Sequence, residues 1–164
     1  MLLIIFGLPG SGKSYFGEHL ADNLNWEYIN SDRVRKEFKM RGKYDPQDKQ
    51  KVYEYMFEEA EKVIKQKKNI IIDATFSDPG HLKRAKALAQ QLGTDYKLIE
   101  MKADEATIKA RVSKERKYSE AGFEVYQKIK SEYETVNEPH LILDTSNTSV
   151  ENLIAKAKQY LNYD

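Results

Sequence analysis

The chain has 164 residues, 40% of them hydrophobic and 32% charged, and its 27 basic and 26 acidic residues give a net charge of +1. This length fits one domain with a sizeable core, and the even charge excludes a polyelectrolyte tail. The absence of cysteine excludes disulfides and thiolate metal sites.

Neither a membrane span nor a signal peptide is expected. The longest apolar run, residues 1–6, is far too short to cross a bilayer. A signal peptide needs a basic start and a small-residue cleavage site, whereas the chain begins MLLIIFGLPG. We therefore expect a cytoplasmic protein that does not bind membranes.

Apolar runs typical of buried strands alternate along the chain with helical patterns. Strands are predicted at residues 2–6, 26–29, 70–73, 96–101 and 140–143. Helices are predicted at 13–23, from 31, from 46, at 79–92, at 104–112, from about 122 and at 150–161. Asp78 before Pro79 is typical of a helix cap, and Gly93 of a helix end. This alternation predicts a parallel sheet covered on both faces, in one domain spanning residues 1–164.

A glycine-rich loop follows the first strand. Residues 7–14, GLPGSGKS, fit the pattern G-x-x-x-x-G-K-[ST] between a strand and a helix. Glycines let backbone N–H groups wrap a phosphate, and the helix adds its positive end. A dinucleotide-binding fingerprint would need glycine at the position of Tyr15. The alternative interpretation of the loop is a glycine-rich strand-to-helix turn that binds no phosphate. The candidate ATP-binding residues are Gly7, Pro9, Gly10, Ser11, Gly12, Lys13, Ser14 and Tyr15.

Within the loop, Lys13 can reach the β- and γ-phosphates, and the Ser14 hydroxyl can ligate Mg²⁺. Asp73 ends the third strand, where a carboxylate can hold the water shell of Mg²⁺ or orient Arg35. Thr75 offers a hydroxyl at the same rim. A loop or cap acid is the alternative interpretation of Asp73.

The end of the second strand predicts the acceptor side. Asp32 can accept a proton from a hydroxyl that attacks the γ-phosphate, and Arg35 can hold an anionic group of the acceptor. Alternatively, Asp32 or Ser31 only caps a helix and Arg35 is a solvated surface charge. Six basic residues between Arg33 and Lys43 favour an anionic acceptor, nucleic acid included, or simply form a solvated charged helix.

A basic cluster is predicted to form a lid at about residues 111–122. A mobile arginine there can neutralise charge on the transferred phosphoryl group and exclude water. Arg111 and Arg116 are the candidates, and the sequence does not choose between them. The alternative interpretation of the basic cluster is a solvated helix end, where positive charge is favourable to the helix dipole.

The chain resembles the P-loop kinases, in the branch of small kinases related to phage polynucleotide 5′-kinase. The motifs that carry the resemblance occur in the family's order: GLPGSGKS, INSDRVR, IIIDATF, RVSKERKYSEAGFEVYQ and HLILDTS. Tyr15 replaces the serine or threonine often found there, and we expect no phosphatase domain to follow. The resemblance implies a three-layer α/β P-loop NTPase fold with a five-stranded parallel sheet, order 2-3-1-4-5, and a helical lid.

The resemblance also implies roles for individual residues. Lys13 and Ser14 would bind nucleotide and Mg²⁺, Asp32 would be the general base, and Arg35 would grip an acceptor phosphate. Asp73 would be the carboxylate of the third strand and Arg116 the lid arginine, with Arg111 a further nucleotide-binding residue. The implied activity is an ATP- and Mg²⁺-dependent transfer of the γ-phosphate to a hydroxyl.

Three functions remain open at this point. The first is a kinase for the 5′-hydroxyl of RNA or DNA, and the second is a kinase for a nucleotide, sugar or antibiotic. The third is a nucleotide-binding switch or ATPase without an acceptor. GTPase switches typically carry D-x-x-G and N-K-x-D, and neither pattern occurs here.

Overall fold

A computed structural model describes residues 1–114 and 122–163 of the chain. Its strands are β1 (Leu2–Phe6), β2 (Glu27–Asn30), β3 (Ile70–Asp73), β4 (Tyr96–Lys102) and β5 (Leu141–Asp144). Its helices are α1 (Lys13–Leu24), α2 (Ser31–Glu37), α3 (Pro46–Lys65), α4 (Pro79–Gln91), α5 (Glu105–Val112), α6 (Phe123–Glu132) and α7 (Val150–Leu161).

The five strands form one parallel sheet in the order β2-β3-β1-β4-β5. This confirms the predicted topology, and each end of a predicted strand lies within one residue of the observed end. The agreement has a physical cause, because strands buried on both faces are continuous apolar runs that a sequence displays directly.

Side chains of the central strand β1 alternate between two hydrophobic cores. Leu2, Ile4 and Phe6 pack with α3 and α4 on one face, while Leu3 and Ile5 pack with α1 and α7 on the other. Because β1 is fully buried on both faces, the loop that follows it at Gly7 starts from a rigid base.

Short side chains fix where several helices begin. Asp45 caps α3, Asp78 caps α4, Asp104 caps α5 and Ser149 caps α7, each by accepting a hydrogen bond from a backbone N–H of the first turn. The cap predicted at Asp78 is thereby confirmed. Among the described residues, no helix is both long and apolar enough to cross a membrane.

The carboxyl ends of the strands meet along one edge of the sheet. Asn30 at the end of β2 lies in register with Asp73 at the end of β3, and Asp73 also pairs with Ile5 of β1. In an open parallel sheet this edge is where ligands bind. The predicted lid residue Arg116 lies outside the described residues.

Candidate functional site

The glycine-rich loop adopts a conformation that requires its glycines. Gly7, Gly10 and Gly12 have φ angles of 140°, 79° and 90°, in the range that side-chain-bearing residues rarely adopt. A Cβ on Gly10 would lie 2.9 Å from Val112 Cγ1, and one on Gly12 would lie 3.2 Å from Thr145 Oγ1. The loop is therefore a tight backbone cradle packed between α5 and the end of β5.

Lys13 lies across this loop at the first position of α1. Its Nζ donates a hydrogen bond to the carbonyl of Leu8 at 3.0 Å. The ammonium group is thus held above the loop, beside the positive end of the helix. Both features suit the loop to a polyphosphate.

A polar network joins α1 to the ends of β2 and β3. The Asn30 side-chain amide donates to Ser14 Oγ at 3.0 Å and to Asp73 Oδ2 at 2.7 Å. The Tyr28 hydroxyl donates to the same Asp73 oxygen at 2.6 Å. Asp73 is fully buried, and its second oxygen, Oδ1, has no hydrogen-bond partner.

Ser14 and Asp73 suit Mg²⁺, the ion that their positions predict. Mg²⁺ is usually held by one or two protein oxygens together with substrate phosphates and waters, rather than by a cage of side chains. In residues 1–114 and 122–163, no three His, Cys, Asp or Glu side chains are grouped so that they could hold a metal ion. A buried carboxylate oxygen without a partner, such as Asp73 Oδ1, is costly until a water or an ion satisfies it.

The structure separates the two interpretations of Asp32. Asn30 caps α2, because its Oδ1 accepts from the backbone N–H of Asp32 and of Arg33, each at 3.0 Å. The alternative that Asp32 or Ser31 provides the cap is therefore wrong. The Asp32 carboxylate lines the cavity above the loop instead.

Arg35 is a buried cation rather than a surface charge. It is 7% exposed, its guanidinium lies 3.4 Å from Asp32 Oδ1, and the Tyr44 ring lies 5.0 Å away. Its Nε is buried without a hydrogen bond. Burying a cation is costly unless anions surround it, so Arg35 retains capacity for an anionic ligand.

Arg111 connects three separate segments at the other side of the loop. It donates to the Gly10 carbonyl at 3.1 Å, to Thr145 Oγ1 at 2.8 Å and to the Thr145 carbonyl at 2.9 Å. Thr145 in turn donates to the Ser11 carbonyl at 2.9 Å. Burial lowers the pKa of the Arg111 guanidinium from its usual value. Arg111 therefore belongs to the wall of the loop.

Replacing Arg111 with alanine is expected to lower the free energy of unfolding by about 2 kcal/mol, because three hydrogen bonds to a charged group are lost. Chemical denaturation measures the change. The control is Lys156→Ala, which removes an exposed cation from α7 and should change stability by less than about 0.5 kcal/mol. Equal losses in the two variants would contradict the structural role of Arg111.

One cavity of about 1250 Å³ brings most of the predicted residues together. Gly7 and Ser11 belong to the loop but do not line the cavity. Eleven of the predicted residues line it: Pro9, Gly10, Gly12, Lys13, Ser14, Tyr15, Asp32, Arg35, Asp73, Thr75 and Arg111.

The far wall of the cavity contains residues that the sequence does not single out. The rings of Tyr53 and His81 stack 3.7 Å apart, and His81 Nε2 lies 3.5 Å from Gln50 Oε1. Burial lowers the pKa of the His81 imidazole, which favours its neutral form. These side chains come from α3 and the start of α4, so only the tertiary structure brings them to the loop.

A family model described as an AAA domain (AAA_33) matches residues 2–136. The chain belongs to this family. The glycine-rich loop and the sheet order agree with this assignment. No curated protein matches this AAA-domain chain significantly. The narrower resemblance to phage polynucleotide 5′-kinase stays a prediction.

Several solved structures share the fold of this AAA-domain chain at low sequence identity. A sugar kinase from Janibacter sp. HTCC2649 is 18% identical, with a TM-score of 0.75 over 98% of this chain and 94% of that one. The APS kinase of Mycobacterium tuberculosis is 16% identical, with a TM-score of 0.75 over 98% and 96% of the two chains. A gluconokinase from Sinorhizobium meliloti 1021 is 12% identical, with a TM-score of 0.70 over 98% and 94%.

Proposed function

We propose that this protein is an ATP- and Mg²⁺-dependent kinase that transfers the γ-phosphate to a hydroxyl group of a small molecule. The observation that carries the proposal is that Lys13, Ser14 and Asp32 line one continuous cavity. The phosphate loop and a carboxylate at the end of the neighbouring strand thereby share a space in which a triphosphate and a hydroxyl can meet.

Similar proteins support the nucleotide half of the proposal. The APS kinase with the same fold was crystallised with AMPPNP and APS, and a Kti12 structure from Chaetomium thermophilum contains ADP-AlF₃. By analogy, the backbone N–H groups of the loop would hold the phosphates of ATP, with Lys13 at the β- and γ-phosphates. Arg111 and Tyr15 would line the remainder of the nucleotide site.

The residues on the acceptor side would then act on a hydroxyl. Asp32 would accept the proton of the hydroxyl as its oxygen bonds to the γ-phosphorus and ADP leaves. Arg35 would orient the acceptor through an anionic group. Mg²⁺, when bound through Ser14 and Asp73, supplies positive charge to the phosphate oxygens. The lid role of Arg116 stays part of the prediction.

The charge of the cavity favours a small acceptor over a polynucleotide. Its described lining has six basic and six acidic residues, whereas grooves that bind nucleic acids are strongly positive. The basic ones are Lys13, Arg35, Lys49, Arg111, Lys114 and Lys128, and the acidic ones are Glu18, Asp32, Asp73, Asp78, Glu132 and Glu134.

The basic side chains between Arg33 and Lys43 do not all face the same surface. The Arg33 guanidinium pairs with Glu18 and lies 5.2 Å from the centre of the Tyr28 ring. Arg35 is buried in the cavity. Arg33 and Arg35 therefore do not contribute to a continuous basic surface.

The cavity volume of about 1250 Å³ exceeds the range of roughly 300–1,000 Å³ typical for one small ligand. The cavity therefore has room for a nucleotide and an acceptor together.

An acceptor screen with γ-labelled ATP and Mg²⁺ tests the proposal. The panel contains sugars, sugar acids, nucleosides and nucleotides beside RNA and DNA oligonucleotides with 5′-hydroxyl ends. Lys13→Met and Asp32→Asn serve as blanks. We expect label on a small acceptor that is absent from both blanks.

Other outcomes of the screen separate the remaining functions. Label on oligonucleotide ends would overturn the small-molecule assignment and establish a polynucleotide kinase. If ATP is hydrolysed, no acceptor is labelled and no acceptor changes the rate of hydrolysis, a nucleotide-dependent switch or ATPase would be favoured.

A further inference from the structure

The carboxylate of Asp73 is held in an asymmetric way. Both of its protein hydrogen bonds, from the Tyr28 hydroxyl at 2.6 Å and from the Asn30 amide at 2.7 Å, end on Oδ2. Oδ1 is buried and has no partner. Two donors on one oxygen fix the plane of the carboxylate, and they leave the second oxygen available to a ligand.

Tyr28 is suited to be a permanent donor to this carboxylate. The side chain is half-buried, and its hydroxyl donates to Asp73 Oδ2 at 2.6 Å. Its ring is held in turn by Arg33, which pairs with Glu18 of α1. Glu18 lies one helical turn after Ser14, so the same face of α1 supports both ends of the network.

We propose that Tyr28 is a positioning residue for the magnesium side of the site, acting through Asp73. In this arrangement Tyr28 and Asn30 occupy Oδ2, so that Oδ1 can accept a hydrogen bond from a water of the Mg²⁺ shell. Residues that hydrogen-bond to metal-site carboxylates commonly govern metal affinity, because they orient the carboxylate. The inference rests on the proposed nucleotide site but not on any particular acceptor.

A purely structural role for Tyr28 makes a different prediction. If the phenol only stabilises the edge strand β2, its removal lowers thermal stability and leaves the Mg²⁺ requirement unchanged. If it positions Asp73, the Mg²⁺ requirement changes even in a well-folded variant. Tyr28→Phe separates these cases, because it removes only the hydroxyl and keeps the ring beside Arg33.

The experiment measures ADP binding by calorimetry across a series of Mg²⁺ concentrations and in EDTA. For Tyr28→Phe we expect the Mg²⁺ concentration that gives the half-maximal gain in ADP affinity to rise about tenfold. The affinity for ADP in EDTA should stay within about twofold of the wild type, because the phosphate loop is untouched. Tyr96→Phe is the matched control, since that half-buried hydroxyl donates to the Leu82 carbonyl outside the cavity at 3.4 Å.

A double-mutant cycle shows whether Tyr28 acts through Asp73. In an Asp73→Asn background, Tyr28→Phe should change the Mg²⁺ dependence by less than about twofold, because the carboxylate it positions is gone. The same tenfold shift in both backgrounds would overturn the proposal. It would also be overturned by an unchanged Mg²⁺ requirement in Tyr28→Phe, or by ADP binding to the wild type that does not respond to Mg²⁺. No phosphoryl transfer is measured here, so a failed acceptor screen and a failed positioning role give different results.

Discussion

Replacing Asp32 with asparagine is expected to lower the rate of phosphoryl transfer about a thousandfold, the middle of the range for losing a general base. Asparagine has the same shape as aspartate but cannot take up the proton of the attacking hydroxyl. Because Asn30 caps α2, the change should leave the helix intact. The change also removes the negative charge 3.4 Å from the buried Arg35, so a loss of stability is expected beside the loss of the chemical step.

Nucleotide binding is the second measurement on Asp32→Asn. The carboxylate lies on the acceptor side of the cavity and contacts Arg35 at 3.4 Å. Loss of its charge should leave the affinity for ADP within about threefold of the wild type, because the loop residues that bind phosphate are unchanged.

Glu37→Gln is the control for this experiment, because it removes an exposed carboxylate from the same helix. It should behave as the wild type in both transfer and binding. Full activity of Asp32→Asn would rule out the general-base assignment. A parallel loss of transfer and of ADP affinity would instead move Asp32 into the nucleotide site.

The fold was predictable because its signals are local. The two strands that are buried along their whole length, β1 and β3, are apolar runs up to Asp73, and the turn from β1 to α1 carries glycines that few other structures need. Helix starts at Pro46 and Pro79 follow an aspartate whose side chain accepts from the first turn. Such features depend only on neighbours in the sequence, so they can be predicted without knowledge of the tertiary contacts.

Asn30 shows why part of the site could not be predicted. One side chain caps α2 through its oxygen and joins Ser14 to Asp73 through its nitrogen. The sequence places Asn30 at a strand end, which is a usable signal for the site. Its two roles depend on the register of β2 with β3, which brings Asn30 beside Asp73.

Arg33 and Arg35 show a second limit. Both occur in the same basic segment, and composition treats them alike. On a helix, residues two apart point in nearly opposite directions. Arg33 therefore pairs with Glu18, while Arg35 enters the cavity. A charge count over the segment overstates the basic surface that it presents.

The far wall of the cavity shows a third limit of prediction from sequence. Gln50 and Tyr53 lie on α3, and His81 lies on α4, where each fits an ordinary helix pattern. Only the packing of the two helices against the sheet stacks Tyr53 on His81. This wall of the cavity is thus encoded in tertiary contacts, whereas the glycine-rich loop is encoded in one short segment.

Replacing Lys13 with methionine is expected to lower the rate of phosphoryl transfer between about a hundredfold and a thousandfold, the effect of removing one group that stabilises charge in the transition state. Methionine keeps the length of the side chain and removes only the ammonium group. The hydrogen bond from Nζ to the Leu8 carbonyl is also lost. Its net contribution is about 1 kcal/mol, so the variant should remain folded.

The binding measurements on Lys13→Met distinguish phosphate contact from loop structure. We expect the affinity for a non-hydrolysable ATP analogue to fall more than the affinity for AMP, because Lys13 reaches the β- and γ-phosphates. Lys156→Met is the control, since it removes an exposed cation from α7. An equal loss for both nucleotides would mean that Lys13 mainly shapes the loop through Leu8. A larger loss for the triphosphate would mean that Lys13 exchanges the Leu8 carbonyl for phosphate oxygens when ATP binds.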